Sequence, residues 1–574
     1  MKKLLIFLKN YKKESFLAPL FKMLEAAFEL IVPLVVAAII DKGIINNDLG
    51  FILTRCGILV LLAVVGMVAS ITAQYFAAKA ATGFGMELRH ALFEKIQSLS
   101  FNELDKIGTS SLITRINTDS NQVQNGVNLV LRLFLRSPFI VFGAMIMAFT
   151  VDVKSALIFA GAIPLLSLVV FGIMAYTIPK YRKIQNNLDV ITLKTRENLS
   201  GARVIRAFTQ EENEIEDFVA KNKFLSHLQK AVGRISALMN PVTYVIINFA
   251  VVLLIYSGAL QVDSGNLTQG EVVALYNYMS QILIELIKLA NLIVTVTKAL
   301  ACASRIEGVL ELENTLEHNS NNGKQTDNAV DFKNVSLKYK GASENSLENI
   351  SFSAEKGSVI GIIGGTGSGK TSLVSLIPHF YDATEGEVLV DGVDVKAYSD
   401  DELRQKTGFA LQKAALFKGT VRDNLKWGDE NATDEDMLEA LKKAQIFDSV
   451  MEKGGLDAEI EQNGSNLSGG QKQRLSVARA LVRKPEILVL DDSTSALDFA
   501  TEAAMREEIL SLDYAPTVFI VSQRASSVMC ADKLIVLDDG AAVGIGTHKE
   551  LLENCDVYKE IYDSQFGEED TYEE

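Results

Sequence analysis

Hydrophobic residues follow two different patterns along this 574-residue chain, and the pattern changes near residue 300. Before that point, six apolar segments are each long enough to cross a bilayer, which takes about 20 residues per helix. They lie near residues 15–41, 51–78, 129–151, 155–178, 238–262 and 268–298. After residue 328, short apolar strands alternate with polar and helical stretches, as in a soluble α/β domain. The chain is therefore predicted to join a six-helix membrane domain to a water-soluble domain.

Lysine and arginine are unevenly distributed between the loops, which predicts the orientation of the membrane domain. The amino terminus and the two long loops, near residues 79–128 and 179–237, are basic, whereas each short loop carries one lysine or none. Basic loops stay on the cytoplasmic side. We therefore expect a multi-pass plasma-membrane protein with both termini and the soluble domain in the cytoplasm. The first residues, MKKLLIFLKNYKKE, favour a basic amphipathic helix on the inner membrane surface.

A polar stretch over residues 312–328 has no periodic apolar face and is predicted to be a linker. The predicted domains are then a membrane domain over 1–311 with two long helical loops, a soluble domain over 329–566, and an acidic tail over 567–574. The net charge of −15 argues against nucleic acid as a partner. The four cysteines have no CxxC spacing, so neither a disulfide framework nor a zinc site is indicated.

The strongest chemical signal is a glycine-rich turn between an apolar strand and a helix. It matches the phosphate-binding P-loop and consists of Gly364, Gly365, Thr366, Gly367, Ser368, Gly369, Lys370 and Thr371. Backbone N–H groups of such a loop surround phosphates at a helix start, where the helix dipole favours anions. Lys370 is expected to reach the β- and γ-phosphates of ATP, and Thr371 to ligate Mg²⁺.

A second segment, NLSGGQKQRLSVARALVRKPEILVLDDSTSALD, contains further motifs that a P-loop alone does not supply. With it, nearly the whole chain resembles the ATP-binding-cassette (ABC) family in its exporter type, with the two long loops resembling the coupling loops of that type. The resemblance implies a half-transporter, because six spans and one cassette need a second chain. LSGGQ is similar to the signature motif of the family, which implies that Ser468 and Gly470, with Gly469 and Gln471 beside them, contact ATP held on the facing subunit.

The resemblance also implies roles for single cassette residues. Asp491, which ends the Walker B strand ILVLD, is expected to help hold Mg²⁺. Gln412 matches the Q-loop glutamine that touches the metal or the attacking water, and Asp498 resembles the D-loop aspartate. Tyr339 stands where the family places an aromatic residue that stacks on adenine. A core tyrosine at a strand end is the alternative for Tyr339.

Three positions depart from the family pattern. Asp492 replaces the glutamate that acts as general base, so its carboxylate is retracted by one C–C bond of about 1.5 Å. A misplacement of about 1 Å can cost about 100-fold in rate. Gln523 replaces the switch histidine and cannot carry a charge. Gln462 replaces a glutamate that in exporters faces the coupling helix of the other chain.

Asp492 and Gln523 belong to one composite ATP site, while the signature motif serving the other site is intact. This combination predicts a heterodimer with a non-identical half-transporter, in which the chain's own P-loop site binds ATP and hydrolyses it weakly. A homodimer with slow hydrolysis is one alternative. A regulatory subunit that gates a channel-like partner is a second alternative, and an importer subunit is disfavoured because importers usually keep membrane and ATP domains on separate chains.

Polar residues inside the predicted spans are candidates for binding the transported compound, because an unpaired polar group is costly in lipid. The candidates are Glu25, Glu29, Tyr276, Gln281 and Glu285. Acidic groups beside an apolar cavity suit small amphiphilic cations, which indicates multidrug export, and lipid or peptide transport stays open. The alternative is that these residues form salt bridges or line helix interfaces, as Glu285 could with Lys288.

Overall fold

The computed structural model describes residues 3–314, 316–317 and 326–567, and these residues form two compact units. The first unit comprises residues 3–97 and 109–312. The second comprises residues 98–108 and the described residues from 313 onward. Part of the predicted linker and all of the acidic tail after Gly567 lie outside the described residues. The first strand of the second unit begins at Asn328, the last residue of the predicted linker.

Long helices form the first unit, because in lipid an apolar chain can satisfy its backbone N–H and C=O groups only internally. The α-helices up to residue 312 are α1 (Lys12–Ala38), α2 (Leu49–Gln97), α3 (Phe101–Ile107), α4 (Thr109–Thr114), α5 (Ser120–Leu133), α6 (Arg136–Val151), α7 (Val153–Ser200), α8 (Ala202–Ala207), α9 (Glu211–Ala237), α10 (Met239–Asp263) and α11 (Gln269–Leu310). Of these, α3 belongs to the second unit. The chain start is helical as predicted, but as a 3₁₀ helix over Leu4–Tyr11.

Six helical stretches of the described chain are long and apolar enough to cross a membrane, which confirms the predicted spans. They are Leu4–Ile44, Leu49–Gln97, Thr109–Val151, Val153–Ser200, Glu211–Asp263 and Gln269–Leu310. Several extend well beyond a bilayer, since α2 has 49 residues and a helix of that length measures about 70 Å. The long loops of the sequence are thus largely continuations of the spanning helices.

The second unit is an α/β domain. Its strands are β1 (Asn328–Leu337), β2 (Leu347–Glu355), β3 (Val359–Gly364), β4 (Glu385–Val390), β5 (Val393–Asp394), β6 (Thr407–Ala410), β7 (Gly419–Thr420), β8 (Glu459–Ile460), β9 (Ile487–Asp491), β10 (Thr517–Ser522), β11 (Lys533–Asp538) and β12 (Ala541–Gly546). Its helices after α3 are α12 (Lys370–Val374), α13 (Asp400–Lys406), α14 (Val421–Lys426), α15 (Asp434–Lys443), α16 (Phe447–Glu452), α17 (Gly469–Val482), α18 (Phe499–Leu510), α19 (Ala525–Val528), α20 (His548–Asn554) and α21 (Asp556–Phe566).

The strand order explains where the ATP site lies. The main sheet runs β5-β4-β1-β2-β12-β11-β3-β10-β9-β6, and its segment β11-β3-β10-β9-β6 is parallel. The carboxyl ends of parallel strands meet at one edge of a sheet, where ligands of α/β proteins bind. The ends of β3, β9 and β10 therefore bring the P-loop, Asp491 and Gln523 to the same edge. Helices α14 to α17 form a helical subdomain that packs around Leu425, Leu441 and Leu475.

Candidate functional site

The P-loop follows β3 directly and leads into α12. Gly367 and Gly369 have φ values of 86° and 95°, which favour glycine. A Cβ atom at Gly369 would also lie 2.6 Å from the carbonyl oxygen of Ser346. The loop conformation therefore depends on these glycines, and its backbone can approach a phosphate closely.

Lys370 is buried and aims its ammonium group into the P-loop. Its Nζ atom donates to the carbonyl oxygens of Gly364 at 2.9 Å and Gly365 at 2.5 Å. Burial lowers the pKa of Lys370, while the nearby carboxylates of Asp492 and Asp491 act in the opposite direction. Carbonyl oxygens compensate an ammonium charge only in part, so an anion bound in the loop would be stabilised by this side chain.

Two oxygen ligands suited to Mg²⁺ lie side by side at the end of β9. The Thr371 hydroxyl donates to Oδ1 of Asp491 across 3.0 Å. Burial raises the pKa of Asp491 to about 6, and the hydrogen bond from Thr371 opposes that effect. Hydroxyl and carboxylate oxygens are hard ligands of the kind Mg²⁺ prefers. The pair thus fits the metal role expected from the sequence.

Asp492 follows Asp491 with a left-handed backbone, φ 46°. Its N–H donates to the carbonyl oxygen of Val521 at 3.0 Å, which ties it to β10. Its Oδ2 atom accepts a hydrogen bond from Nε2 of Gln412 at 3.2 Å. Asp492, predicted to stand at the general-base position, is therefore in contact with the predicted Q-loop glutamine.

Gln523, at the switch-histidine position, lies at the end of β10 with its side chain exposed. Its Oε1 atom accepts a hydrogen bond from the Thr366 hydroxyl at 3.4 Å. Gln523 thus contacts the P-loop itself.

These residues line one cavity of about 680 Å³, a size within the range of ligand pockets. Its lining includes Thr366, Gly367, Gly369, Lys370, Thr371, Gln412, Asp491, Asp492 and Gln523, together with the loop 341–346. Tyr339 is not part of this lining. Its hydroxyl donates to Ser372 at 3.0 Å, and its ring packs edge-on against Tyr381 with centroids 5.1 Å apart. The cavity chemistry fits ATP with Mg²⁺.

The signature segment stands apart from this cavity. Ser468 caps α17, where its Oγ accepts from the Gln471 N–H and the Gln471 side chain accepts from the Ser468 N–H. This reciprocal cap fixes the helix start. Gly470 lies against the D-loop, because a Cβ there would be 3.1 Å from the carbonyl oxygen of Ala496. Residues 467–471 are all described, and none of them lines the P-loop cavity.

Asp498 caps α18 and accepts from Thr501 N–H at 3.3 Å. Just before it, Gln473 of α17 donates to Ser495 Oγ at 3.0 Å and accepts from Ala496 N–H at 2.9 Å. The signature helix therefore holds the D-loop in place. Gln462 is exposed in a 3₁₀ turn, Gln462–Gly464.

Helix α3, from the first long loop, belongs to the second unit. The Phe101 ring lies 4.6 Å from the Phe380 ring, and the Tyr381 hydroxyl donates to Asp105 at 2.7 Å. Helix α8, from the second long loop, has no buried residue, and all of its residues are described.

The acidic candidates inside the membrane unit all have cationic partners. Arg136 contacts Glu285 at 2.6 Å and Glu29 at 2.7 Å. Lys288 also contacts Glu285, at 2.8 Å. Glu25 pairs with Lys22 within the same helix. Tyr276 is 45% exposed and Gln281 is half-buried.

Sequence reasoning did not identify several site residues that the structure adds. The loop 341–346, GASENS, reads as an ordinary polar turn, and only its proximity to the P-loop marks it as a cavity wall. Arg524 follows Gln523 and donates to the carbonyl oxygens of Ser495 and Leu497, at 3.2 and 3.4 Å. No short-range pattern links residues so far apart in the chain.

Comparison with known proteins agrees with this geometry. The family model described as ABC transporter transmembrane region matches residues 15–286, and the one described as ABC transporter matches residues 347–495. The uncharacterised ABC transporter ATP-binding protein YfiB of Bacillus subtilis (strain 168) is 36% identical over 570 residues, with 99% of both chains covered.

Other relatives have names that state an activity. YgaD of Bacillus subtilis (strain 168), provisionally named as a multidrug export ATP-binding/permease protein, is 31% identical over 98% of this chain and 99% of its own. The ATP-dependent lipid A-core flippase of Vibrio vulnificus (strain YJ016) is 28% identical over 99% of this chain and 98% of its own.

A solved structure has the same fold. It is a bacterial Atm1-family ABC exporter with ATP bound, with a TM-score of 0.82 at 22% identity, covering 96% of this chain and 99% of the other. The family models, the full-length relatives and this fold agree with one another. The chain belongs to the ABC transporter family, as an exporter-type half-transporter with an amino-terminal membrane domain fused to an ABC ATPase domain.

Proposed function

We propose that this chain is one subunit of a heterodimeric ATP-driven exporter, in which its own P-loop site binds ATP and hydrolyses it weakly. One observation carries the proposal. The two residues that depart from the hydrolytic pattern, Asp492 and Gln523, line the same cavity as the P-loop. The intact signature segment lies outside that cavity and serves the site of the facing chain.

Weak hydrolysis follows from what the cavity residues can do. When bound, Mg²⁺ neutralises part of the phosphate charge. Lys370, Thr371 and Asp491 are expected to hold the nucleotide and the metal. A general base must reach within about 2.6 to 3.2 Å of the proton that it removes. The shorter Asp492 side chain is already engaged by Gln412, and Gln523 offers an amide where the family has an imidazole.

The partner chain is expected to supply the glutamate that Asp492 replaces, while this chain supplies Ser468 and Gly470 to the partner's ATP. The helix start at Ser468 presents N–H groups to an anion, which is the basis of phosphate binding at helix termini. Dimerisation is the working form of ABC exporters. The absence of buried residues in α8, all of which are described, leaves this helix available to the cassette of a second chain.

The test is steady-state ATP hydrolysis by the chain purified alone in lipid, and again after co-expression with candidate half-transporters from the same genome. Negligible turnover alone that one partner restores is the expected result. Brisk turnover alone would overturn the proposal in favour of a homodimer with a working Asp492. A complex whose conductance changes with ATP binding and without turnover would instead identify a regulatory subunit.

For the transported compound we propose amphiphilic drugs or lipid-like molecules, as the names of YgaD and the Vibrio vulnificus flippase suggest. The contacts inside the membrane unit favour recognition through apolar and neutral polar surface. Arg136 and Lys288 neutralise Glu285, and Glu29 shares Arg136. The main role of these carboxylates is therefore to hold α1, α6 and α11 together.

Two variants of the assembled transporter separate the structural role of the carboxylates from recognition of the transported compound. Glu285→Gln leaves Lys288 without its anion and Arg136 with Glu29 as its remaining anionic partner. Breaking a buried pair costs about 3 to 5 kcal/mol, so we expect loss of folded protein. Tyr276→Ala should leave the melting temperature unchanged and alter drug-stimulated turnover. Tyr276 lies on α11, and Tyr256→Ala, at an exposed tyrosine on α10, is the matched control. A stable Glu285→Gln variant with altered substrate range would contradict the structural role.

A further inference from the structure

The side chain of Gln565, near the end of α21, bridges the backbone on both sides of Arg524. Its Oε1 atom accepts from the Ala525 N–H at 2.8 Å, and its Nε2 atom donates to the Gln523 carbonyl oxygen at 2.8 Å. Both bonds connect positions about 40 residues apart in sequence. We call residues 523–525, which run from the end of β10 to the first residue of α19, the switch loop.

This bridge requires a side chain with a donor and an acceptor at the reach of glutamine. Ala525 is fully buried, and a buried N–H without a partner is costly. A glutamate would keep the acceptor for Ala525 but would face the Gln523 carbonyl oxygen with a second acceptor. An aliphatic residue would lose both bonds. The chemistry at position 565 is therefore specific.

The switch loop is also connected to the ATP cavity and to the D-loop. The Gln523 side chain accepts from Thr366 of the P-loop at 3.4 Å. Arg524 donates to the carbonyl oxygens of Ser495 and Leu497 and pairs with the buried Glu502 at 3.3 Å. Gln565 is the contact that comes from the carboxyl-terminal side of the cassette.

Helix α21 has its own anchor, independent of Gln565. Tyr558, two turns earlier, is fully buried, and its hydroxyl lies 2.7 Å from Nδ1 of His548 in α20. The Tyr562 ring packs on the His548 ring at 5.4 Å between centroids. The helix is thus fixed to the domain by these aromatic contacts, which leaves the Gln565 side chain to hold the loop.

We propose that Gln565 is a positioning residue of the ATP site, and that the carboxyl-terminal helix α21 sets the conformation of the switch loop through it. A change at α21 would be transmitted through the Gln523 backbone to the side chain that lines the cavity. The proposal goes beyond the assignment of a weakly hydrolysing site, because it concerns how the loop is held at any rate of turnover.

Amide hydrogen exchange of the full chain in lipid, with and without ATP, tests this role. The variants are Gln565→Met, which is similar in size without the paired hydrogen bonds, and Gln565→Glu. The control is Glu560→Met, at an exposed position of the same helix. We expect exchange of the peptide covering residues 523–528 to be about 5- to 10-fold faster in Gln565→Met. Gln565→Glu should protect the Ala525 N–H partly, and the control should match the unmodified chain.

Exchange is also measured for two other peptides, one in α21 and one covering the P-loop. The peptide covering residues 556–562 should exchange as before in every variant, because Tyr558 holds it. ATP should still protect the P-loop peptide in Gln565→Met, while its protection of the switch loop should fall about threefold or more.

Unchanged exchange at residues 523–528 in Gln565→Met would overturn the proposal. Faster exchange throughout α21 would also overturn it, because Gln565 would then stabilise the helix and not the loop. Exchange reports on the loop whether hydrolysis is slow or fast, so this proposal and the heterodimer proposal can fail separately.

Discussion

The P-loop cavity and the signature helix of the same cassette differ in how many of the expected hydrolytic residues they keep. In the cavity, the groups expected to hold a nucleotide are present, with Lys370 in the loop and Thr371 beside Asp491. The groups expected to act on water are altered, since Asp492 and Gln523 stand where the family pattern has glutamate and histidine. The signature helix keeps its motif and its reciprocal cap.

The difference teaches that nucleotide binding and hydrolysis depend on separable parts of the site. Binding relies on backbone conformation and on a buried ammonium group, both fixed by the strand, the glycines and α12. Hydrolysis relies on the reach of side chains at the strand ends, where one methylene matters. A chain can therefore lose hydrolysis at its own P-loop site and still support hydrolysis at the partner's site through its signature motif.

Disabling the signature side should have the largest effect. In the assembled complex, Ser468→Arg is expected to lower ATP turnover by about 100-fold or more, because the proposed heterodimer uses this helix start to bind the phosphates of the partner's ATP. Steady-state hydrolysis in lipid measures the loss.

A capping defect must be separated from a charge effect in that experiment. Ser468→Asp keeps a good helix cap and places a negative charge beside the phosphates. It should also reduce turnover strongly, while Ser468→Asn, a neutral cap, should reduce it much less. If all three variants hydrolysed ATP as fast as the unmodified complex, the signature helix would not be part of the active site.

Restoring the P-loop side should have the next largest effect. The double change Asp492→Glu with Gln523→His should raise hydrolysis by the chain's own site by about 10-fold, because it restores the reach and the imidazole of the hydrolytic pattern. Trapped-nucleotide analysis of each site in the complex would measure the gain. The control Asp448→Glu adds the same methylene at an exposed position on α16.

The gain should be limited by the backbone at residue 492. A left-handed φ of 46° suits aspartate better than glutamate, because such conformations favour short polar side chains. If the double variant hydrolyses no faster than the unmodified chain and still binds ATP, the two substitutions are not what limits the P-loop side.

Sequence reasoning predicted the parts of the molecule that depend on local patterns. The six spans follow from the length of apolar runs, and the P-loop follows from its glycine spacing between β3 and α12. These features need only secondary structure. That Asp492 and Gln523 belong to one ATP site was implied by the family resemblance, and the parallel strands β9 and β10, whose ends lie at one edge, account for their proximity.

Contacts between residues distant in sequence could not be predicted in this way. Arg136 and Glu285 are 149 positions apart, and no pattern in either helix predicts that they meet. The same holds for Gln565 and the switch loop. The stacking of Tyr339 on adenine stays a prediction. The orientation of this ring depends on side-chain packing that a sequence pattern does not encode.

A moderate effect is expected where the two compared regions are joined. Arg524 connects the switch loop to the D-loop through the Ser495 and Leu497 carbonyl oxygens, and Gln473 connects the D-loop to the signature helix. Arg524→Lys should lower the melting temperature by about 2 to 6 °C, because lysine cannot reproduce a planar fork of donors. Thermal unfolding in lipid measures this, with Arg196→Lys as an exposed control in α7. Equal melting temperatures would indicate that the two regions are not joined through Arg524.

The smallest expected effect is the sharpest test of the asymmetry. Asp492→Asn removes the carboxylate from the base position of the P-loop side and keeps its size. If that side hydrolyses weakly, the turnover of the complex should change by less than about twofold, since a base contributes about 100-fold or more only where it is used. ATP binding should persist, because Lys370, Thr371 and Asp491 are unchanged. The loss of turnover in Asp492→Asn is compared with the loss in Ser468→Arg, prepared in the same way. Two equal losses would mean that both ATP sites hydrolyse ATP, and that the residues found at positions 492 and 523 leave the chain's own P-loop site fully active.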